Sequence, residues 1–169
     1  MKNKIHMEVI RRDKGWICVK FAKKKFFMEV LRSFVENSPF LHKAKSLEVN
    51  LLLTNEIEMQ SLNKRFLEKD KTTNVLAFPD KDYDYRYLNP NDFEGDIILG
   101  DIAFGLEVIE KEAEFYKISM QNHFTHLFIH AILHLVGYDH ENEEDYEIML
   151  EEEIKLLNKM QISRPPIYE

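Results

Sequence analysis

His130-Ala-Ile-Leu-His-Leu-Val-Gly-Tyr-Asp-His140 combines an apolar helical pattern with three of the seven histidines in the sequence. Its aliphatic residues predict a mostly buried helix, and His130 and His134, four positions apart, share one face of it. Gly137 favours the left-handed conformation that ends helices, and the two residues after it are typical of a turn. We expect this reversal to bring His140 back towards the other two histidines.

Three neutral imidazoles that leave a position open to water are typical of catalytic zinc sites, whereas structural zinc usually has four protein ligands. Zinc lowers the pKa of its bound water to about 7, so the pattern predicts one Zn²⁺ per chain and hydrolytic chemistry. The alternative is that each histidine only packs or forms a hydrogen bond. Ala131 follows His130, so the HExxH motif of zinc proteases is absent.

Polar residues near this stretch have several possible roles. His126 extends the row of histidines, but three imidazoles in line along a helix cannot all reach one ion. We therefore predict that His126 contacts a ligand or faces the substrate, and that His123 lies on the surface. Asp139 either orients an imidazole N–H or only helps to end the helix. The acidic run over residues 141–153 predicts a solvated helix face rather than a second metal site.

Outward from this stretch, apolar periodicity predicts strands and helices in mixed order. We expect strands at residues 4–10, 16–20, 46–54, before Pro79, and 96–104, with a bulge at Gly100 and a turn at Gly15 that joins the first two strands. We expect helices at residues 23–37, 55–67, 106–117, 119–136 and 142–159, and an exposed irregular segment at 80–95. The predicted fold is α+β: a small mixed sheet of about four strands packed with about five helices, with the metal site at a cleft.

Composition indicates a globular chain, with 169 residues of which 44% are hydrophobic. That length is typical of one domain, so we predict a single domain over residues 1–169. The lone Cys18 excludes an internal disulfide and a cysteine-rich zinc site. The sequence has no signal-peptide pattern and no apolar run of about 18 residues, so we expect a cytoplasmic protein without a membrane partner.

The charge is unevenly distributed along the chain. Residues 1–80 contain 16 Lys and Arg against 10 Asp and Glu, whereas residues 81–169 contain 7 against 20. The first half could therefore meet the phosphates of a nucleic acid despite a net charge of -7. The alternative is that both halves only carry solvated surface charge.

The histidine stretch resembles the HGxLHLxGYDH signature of the YbeY family, which comprises bacterial metal-dependent endoribonucleases. The residues upstream resemble the family's LNxxxRxxDxPTxVLSFP region at Glu56, Leu62-Asn63, Asp70-Lys71, Thr73-Asn74-Val75-Leu76 and Phe78-Pro79. Leu99-Gly100-Asp101-Ile102 resembles the family's LGDI strand. The resemblance runs in order from about residue 47 to residue 157, roughly two-thirds of the chain.

This resemblance implies that His130, His134 and His140 bind zinc and perform catalysis at the end of a cleft in an α+β fold. It implies a single-stranded RNA substrate, including precursor 16S rRNA near its 3′ end, and a part in rRNA maturation and ribosome quality control. It also implies the small ribosomal subunit or a ribosomal protein as a partner. Whether water or the ribose 2′-OH attacks the phosphate stays open.

The sequence departs from the family pattern most clearly at Leu67, where the family has an arginine in its RNA-facing cleft. Nearby residues that could bind RNA instead are Arg65, Lys69, Lys71 and Asn74. Each cation could also be solvated surface, and the asparagine could only cap a turn. Two smaller departures are Ala131 for Gly and Thr72 for Pro.

Two other functions remain open. The chain could be a ribosome-associated factor that binds rRNA and uses zinc mainly for structure, which the loss of the cleft arginine favours. It could also be a metallohydrolase of a small ester or amide, which the resemblance disfavours.

Overall fold

The computed structural model describes residues 3–165, which form the predicted α+β fold with five α-helices and a mixed sheet. The sheet has five strands, one more than the approximate number predicted. The strands are β1 (Lys4–His6), β2 (Val9–Arg11), β3 (Ala44–Thr54), β4 (Val75–Pro79) and β5 (Gly95–Gly105). The helices are α1 (Lys24–Asn37), α2 (Glu56–Leu67), α3 (Leu106–Tyr116), α4 (Met120–Leu135) and α5 (Glu143–Lys159). Among the described residues, no helix is long and apolar enough to cross a lipid bilayer.

Strand β3 lies at the centre of the sheet. Strands β1 and β2 follow one another along one side of β3, and β5 lies on the other side, all parallel to it. Strand β4 forms the far edge and runs antiparallel to β5. The sheet is therefore mixed, and its only antiparallel pair within residues 3–165 is β4 with β5.

The predicted bulge at Gly100 is confirmed. Glu48 of β3 pairs with Ile98, but the next residue, Val49, pairs with Gly100, so β5 carries one extra residue at this point. The glycine has a φ of +139°, and a Cβ there would lie 2.1 Å from the backbone oxygen of Phe78. Only glycine fits this position, because a side chain would collide with the backbone of β4.

The predicted strand at residues 16–20 is wrong. Residues Lys14–Ile17 form a 3₁₀ turn in which the Asp13 carboxylate accepts a hydrogen bond from the backbone N–H of Gly15 at 2.7 Å. Trp16 is buried, and its indole N–H donates to the backbone oxygen of Thr54 at 2.9 Å. Trp16 therefore anchors a turn to the core, and no hairpin forms because β1 and β2 both pair in parallel with β3.

Apolar residues form separate clusters on the two faces of the sheet. The larger cluster joins the sheet to α1, α4 and α5, and the smaller one joins Met59 of α2 to Leu76 and Ala103. Helix α4 lies within the larger cluster, where the rings of Phe124 and Phe104 are 4.4 Å apart between centroids. Polar side chains on this buried helix consequently need partners inside the protein.

The segment between β4 and β5 is less exposed than the sequence suggests. It contains two 3₁₀ turns, Tyr85–Tyr87 and Pro90–Phe93, and Phe93 is fully buried. The Tyr85 ring stacks on Tyr138 with 5.0 Å between centroids. Aromatic residues thus hold the segment against the turn that follows α4.

Candidate metal centre

Three histidines meet at the C-terminal end of α4. His130 and His134 lie one turn apart on the same face, and their Nε2 atoms are 3.0 Å apart. The chain then reverses, so that the His140 ring lies 5.4 Å from the ring of His130 and 5.0 Å from that of His134, between centroids. One nitrogen from each ring lies within 4.8 Å of the others, an arrangement that could hold a metal ion.

Gly137 makes the reversal possible. Its φ is +95°, and a Cβ at this position would lie 2.5 Å from the backbone oxygen of Tyr83. The backbone N–H of Tyr85 donates to the Gly137 oxygen at 3.1 Å. Glycine is required because the 80–95 segment packs directly against the turn, and this packing fixes the path of the chain to His140.

Two acceptors fix the orientation of the first two rings. The Glu153 carboxylate lies 2.5 Å from Nδ1 of His130, and the backbone oxygen of Tyr138 lies 3.0 Å from Nδ1 of His134. A carboxylate and a carbonyl only accept hydrogen bonds, so each Nδ1 must carry the proton and each Nε2 presents a lone pair. Two lone pairs at 3.0 Å repel unless a cation lies between them. With the His140 ring beside them, the two rings therefore fit a divalent metal ion.

The surroundings of His134 and Glu153 favour the charge states that suit a metal site. Burial, together with His130 and His140 nearby, lowers the pKa of His134 to about 4, so that this ring is neutral at pH 7. Burial opposes ionisation of Glu153, but hydrogen bonds from His126 and His130 lower the pKa of its carboxyl well below its usual range. Glu153 is thus an anion at neutral pH and accepts hydrogen bonds from the imidazole N–H groups.

Glu153 is the functional residue that the sequence reasoning missed, because it belongs to the run predicted as a solvated face. It is only 2% exposed, and besides His130 it contacts Nε2 of His126 at 2.9 Å. The prediction was wrong because Glu153 occupies the buried stripe of α5 formed with Met149, Leu156 and Leu157. The sequence did contain a signal for its burial, because Glu153 has the helical spacing of the apolar residues in this stripe.

Arg164, which follows α5, also lies at the site without having been predicted there. Its Nε donates to the Glu153 carboxylate at 2.9 Å. A small cavity of about 10 Å³, enough for roughly one water molecule, is lined by His130, His140, Tyr146, Met149, Leu150, Glu153 and Arg164. The guanidinium and the histidine cluster therefore share one cavity.

The two other histidines of α4 point into the protein. His126 is 2% exposed and contacts Glu153, so it supports a ligand and does not face the solvent. The predicted surface position of His123 is wrong: it is fully buried, with Nε2 2.7 Å from the carboxylate of Glu112 on α3. The misplacement arose because α4 is covered by α3 on the side that the pattern assigned to solvent.

Within residues 3–165, Asp139 does not contact an imidazole N–H, which was one of its two predicted roles. Its carboxylate accepts a hydrogen bond from the backbone N–H of His140 at 2.6 Å. Asp139 therefore stabilises the turn, the other of its two predicted roles.

The residues predicted to bind RNA lie between the last turn of α2 and the start of β4. Arg65, Lys69 and Lys71 are exposed, and none of them contacts the histidine cluster within the described part of the chain. The Asn74 amide donates to both carboxylate oxygens of Glu112, at 3.0 and 3.1 Å, so its N–H groups are not available to phosphate. Leu67, the position at which the resemblance leads us to expect an arginine, is 51% exposed.

A larger groove lies away from the histidines. It has a volume of about 470 Å³ and lies between α2 and the sheet. Its lining includes Ile10, Phe66 and Phe78 together with Glu8 and Asp101, and contains none of the three histidines. Judged by volume alone, this groove would be the candidate functional site. The side chains that could perform chemistry, however, lie at the smaller cavity.

Comparison with known proteins identifies a family and a similar fold. The family model described as Endoribonuclease YbeY matches residues 10–161. The Endoribonuclease YbeY of Francisella tularensis subsp. novicida (strain U112) is 38% identical over 126 residues, which cover 75% of each protein. The solution structure of TM1509 from Thermotoga maritima is similar in fold, with a TM-score of 0.53 and 23% identity over 92% of each chain.

Proposed function

Since the chain belongs to the YbeY family and is therefore an endoribonuclease, we propose that it cleaves single-stranded RNA with one zinc ion bound by His130, His134 and His140. The observation that carries this proposal is that the Nε2 lone pairs of His130 and His134 converge, while the Nδ1–H of each ring is held by a hydrogen bond to another group. We further propose that the substrate is precursor 16S rRNA near its 3′ end. Such a substrate implies a cytoplasmic protein that meets the small ribosomal subunit or one of its proteins.

The chemistry requires stabilisation of negative charge on a phosphate. A bound zinc ion supplies a positive charge beside a phosphoryl oxygen and lowers the pKa of a water ligand to about 7. Glu153 and the Tyr138 carbonyl hold the first two imidazoles in the tautomer that a metal needs. The three histidines are only partly exposed, and this partial burial strengthens the electrostatic interactions at the site.

RNA is expected to approach from the partly exposed side of the histidine cluster. Arg65, Lys69 and Lys71 are exposed cations of the half of the chain with net positive charge, and we propose that they contact phosphates away from the cleaved bond. Asn74 is left out of this set because its amide is engaged by Glu112.

The identity of the nucleophile decides the products. Attack by the ribose 2′-OH leaves a cyclic phosphate and leaves DNA intact, whereas attack by water gives a linear phosphate. Cleavage of an RNA oligonucleotide and of its DNA counterpart, followed by end-group analysis, distinguishes the two routes.

The proposal is tested by measuring zinc content and cleavage of a single-stranded RNA for the purified protein and for His134→Ala. We expect about one zinc per chain, cleavage by the unaltered protein, and loss of both in a variant that keeps its circular dichroism spectrum. His42→Ala is a matched control, because His42 is exposed and lies in a 3₁₀ turn before β3. Zinc without cleavage by the unaltered protein would favour the ribosome-associated factor with a structural metal.

A further inference from the structure

Arg164 is the cation that lies against the histidine cluster. Among the residues that line the small cavity, it is the only arginine or lysine, and it shares that lining with His130 and His140. Its side chain is 15% exposed, whereas Glu153 beside it is 2% exposed. The Arg164 side chain is therefore paired with a buried anion and is itself partly open to solvent.

The contact with Glu153 uses only part of the guanidinium. The hydrogen bond is made by Nε, and no other described residue forms a hydrogen bond with the two terminal nitrogens. The Glu153 carboxylate holds the side chain in place and leaves up to four N–H donors for another ligand. A guanidinium held in this way matches the spacing of two phosphate oxygens.

Glu153 also ties Arg164 to a metal ligand. One carboxylate oxygen contacts Nδ1 of His130, and the other accepts from Arg164 and from His126. Because one carboxylate holds both groups, the distance between the His130 ring and the guanidinium is fixed by the fold and not by the substrate. Such an arrangement suits a phosphate that is held by the metal centre and the guanidinium at once.

We propose that Arg164 binds a non-bridging oxygen of the RNA phosphodiester at the metal centre, and this inference rests on the proposed nuclease function. The small cavity accommodates about one oxygen-sized group, which agrees with entry of a phosphate oxygen between Arg164 and the histidines. The exposed cations Arg65, Lys69 and Lys71 do not fill this role, since their side chains make no contact with the cluster within residues 3–165.

The test compares Arg164→Lys and Arg164→Met with the unaltered protein. Lysine keeps a charge that can pair with Glu153 but loses the fork, whereas methionine removes the charge. Arg32→Met is the matched control, because Arg32 is exposed on α1 and outside the site. Zinc content and melting temperature are measured for each variant, and cleavage rates are compared per bound zinc.

We expect Arg164→Met to lower kcat/KM per bound zinc by roughly 10- to 100-fold, as for loss of a hydrogen bond to a charged group, and Arg164→Lys to give an intermediate loss. Binding of a single-stranded RNA to the metal-free protein provides a second readout. The slope of log affinity against log salt should fall by about 0.7 in Arg164→Met, the contribution of one phosphate contact on a single strand, and should stay unchanged in Arg32→Met.

Two results would contradict the inference, and a third would contradict the proposed function. If both Arg164 variants match Arg32→Met in kcat/KM and in salt slope, Arg164 only anchors the chain after α5 and the inference fails. If activity falls only in proportion to bound zinc, Arg164 acts through Glu153 on the metal and the inference also fails. If the unaltered, zinc-loaded protein does not cleave RNA, the proposed function itself fails, and a loss of RNA binding in Arg164→Met would still support the phosphate contact.

Discussion

The carboxylate of Glu153 lies 2.5 Å from Nδ1 of His130, although the two residues are 23 positions apart and lie on different helices. Hydrogen bonds of this kind fix the tautomer and direction of a metal-binding imidazole. The packing of α5 on α4 therefore determines the tautomer and orientation of the His130 ring at the metal centre.

Replacing Glu153 should weaken metal binding. We expect Glu153→Gln to reduce zinc affinity by about 10- to 100-fold, because an amide cannot accept hydrogen bonds on both sides from His130 and His126. Competition with a coloured chelator measures this affinity directly. Glu151→Gln, on the exposed side of the same helix, should bind zinc as the unaltered protein does; equal affinities for both variants would contradict the role given to Glu153.

Gly137 should tolerate no side chain. We expect Gly137→Ala to lower the free energy of unfolding by more than about 1–2 kcal/mol, the approximate penalty for a left-handed non-glycine residue, because a clash with Tyr83 adds to the strain. Gly95→Ala is a close control, since Gly95 has a φ of +92° but has no atom within 4 Å of the added Cβ. Urea unfolding of both variants separates the effect of the clash from the effect of backbone strain. An equal loss of unfolding free energy in the two variants would argue against the tight packing of the 80–95 segment.

The contact between Asn74 and Glu112 should be important for stability. Asn74→Asp keeps the shape of the side chain but places a second carboxylate about 3 Å from that of Glu112, which removes a hydrogen bond and introduces repulsion. We expect a loss of about 1–3 kcal/mol in the free energy of unfolding, measured by urea denaturation. Asn122→Asp, at an exposed position in the first turn of α4, should cause little loss; a neutral effect of Asn74→Asp would show that the amide is not essential there.

Zinc should raise the melting temperature of the protein without being needed for folding. A ligand at about 100 times its Kd adds about 2.7 kcal/mol to the free energy of unfolding. We expect this increase on adding zinc to the metal-free protein, and none in His130→Ala or His140→Ala. A metal-free protein without cooperative thermal unfolding would instead indicate a mainly structural metal.

The sequence predicted the parts of the fold that depend on local pattern. Apolar periodicity predicted every α-helix within a few residues, and the spacing of His130, His134 and His140 around Gly137 predicted their meeting, because a helix and a glycine turn determine both. The bulge at Gly100 was predicted from another local pattern, a glycine inside a strand.

What the sequence could not predict depends on which elements pack together. Trp16 looks equally suited to a strand or to a turn, and only its contact with Thr54 decides between them. His123 and Glu153 look solvated in their own helices, and both are buried because another helix covers them. The arginine beside the site lies beyond the last helix, where no periodic pattern extends.

The position of Glu153 on α5 also has a consequence for protein synthesis. A ribosome makes the three histidines before it makes the carboxylate that orients His130, and Arg164 is made later still. Domains fold largely as units once their residues have emerged, so a nascent chain that ends before residue 153 carries the ligands without their support. We therefore expect the nascent chain to be inactive as a nuclease until α5 has been made and has packed on α4.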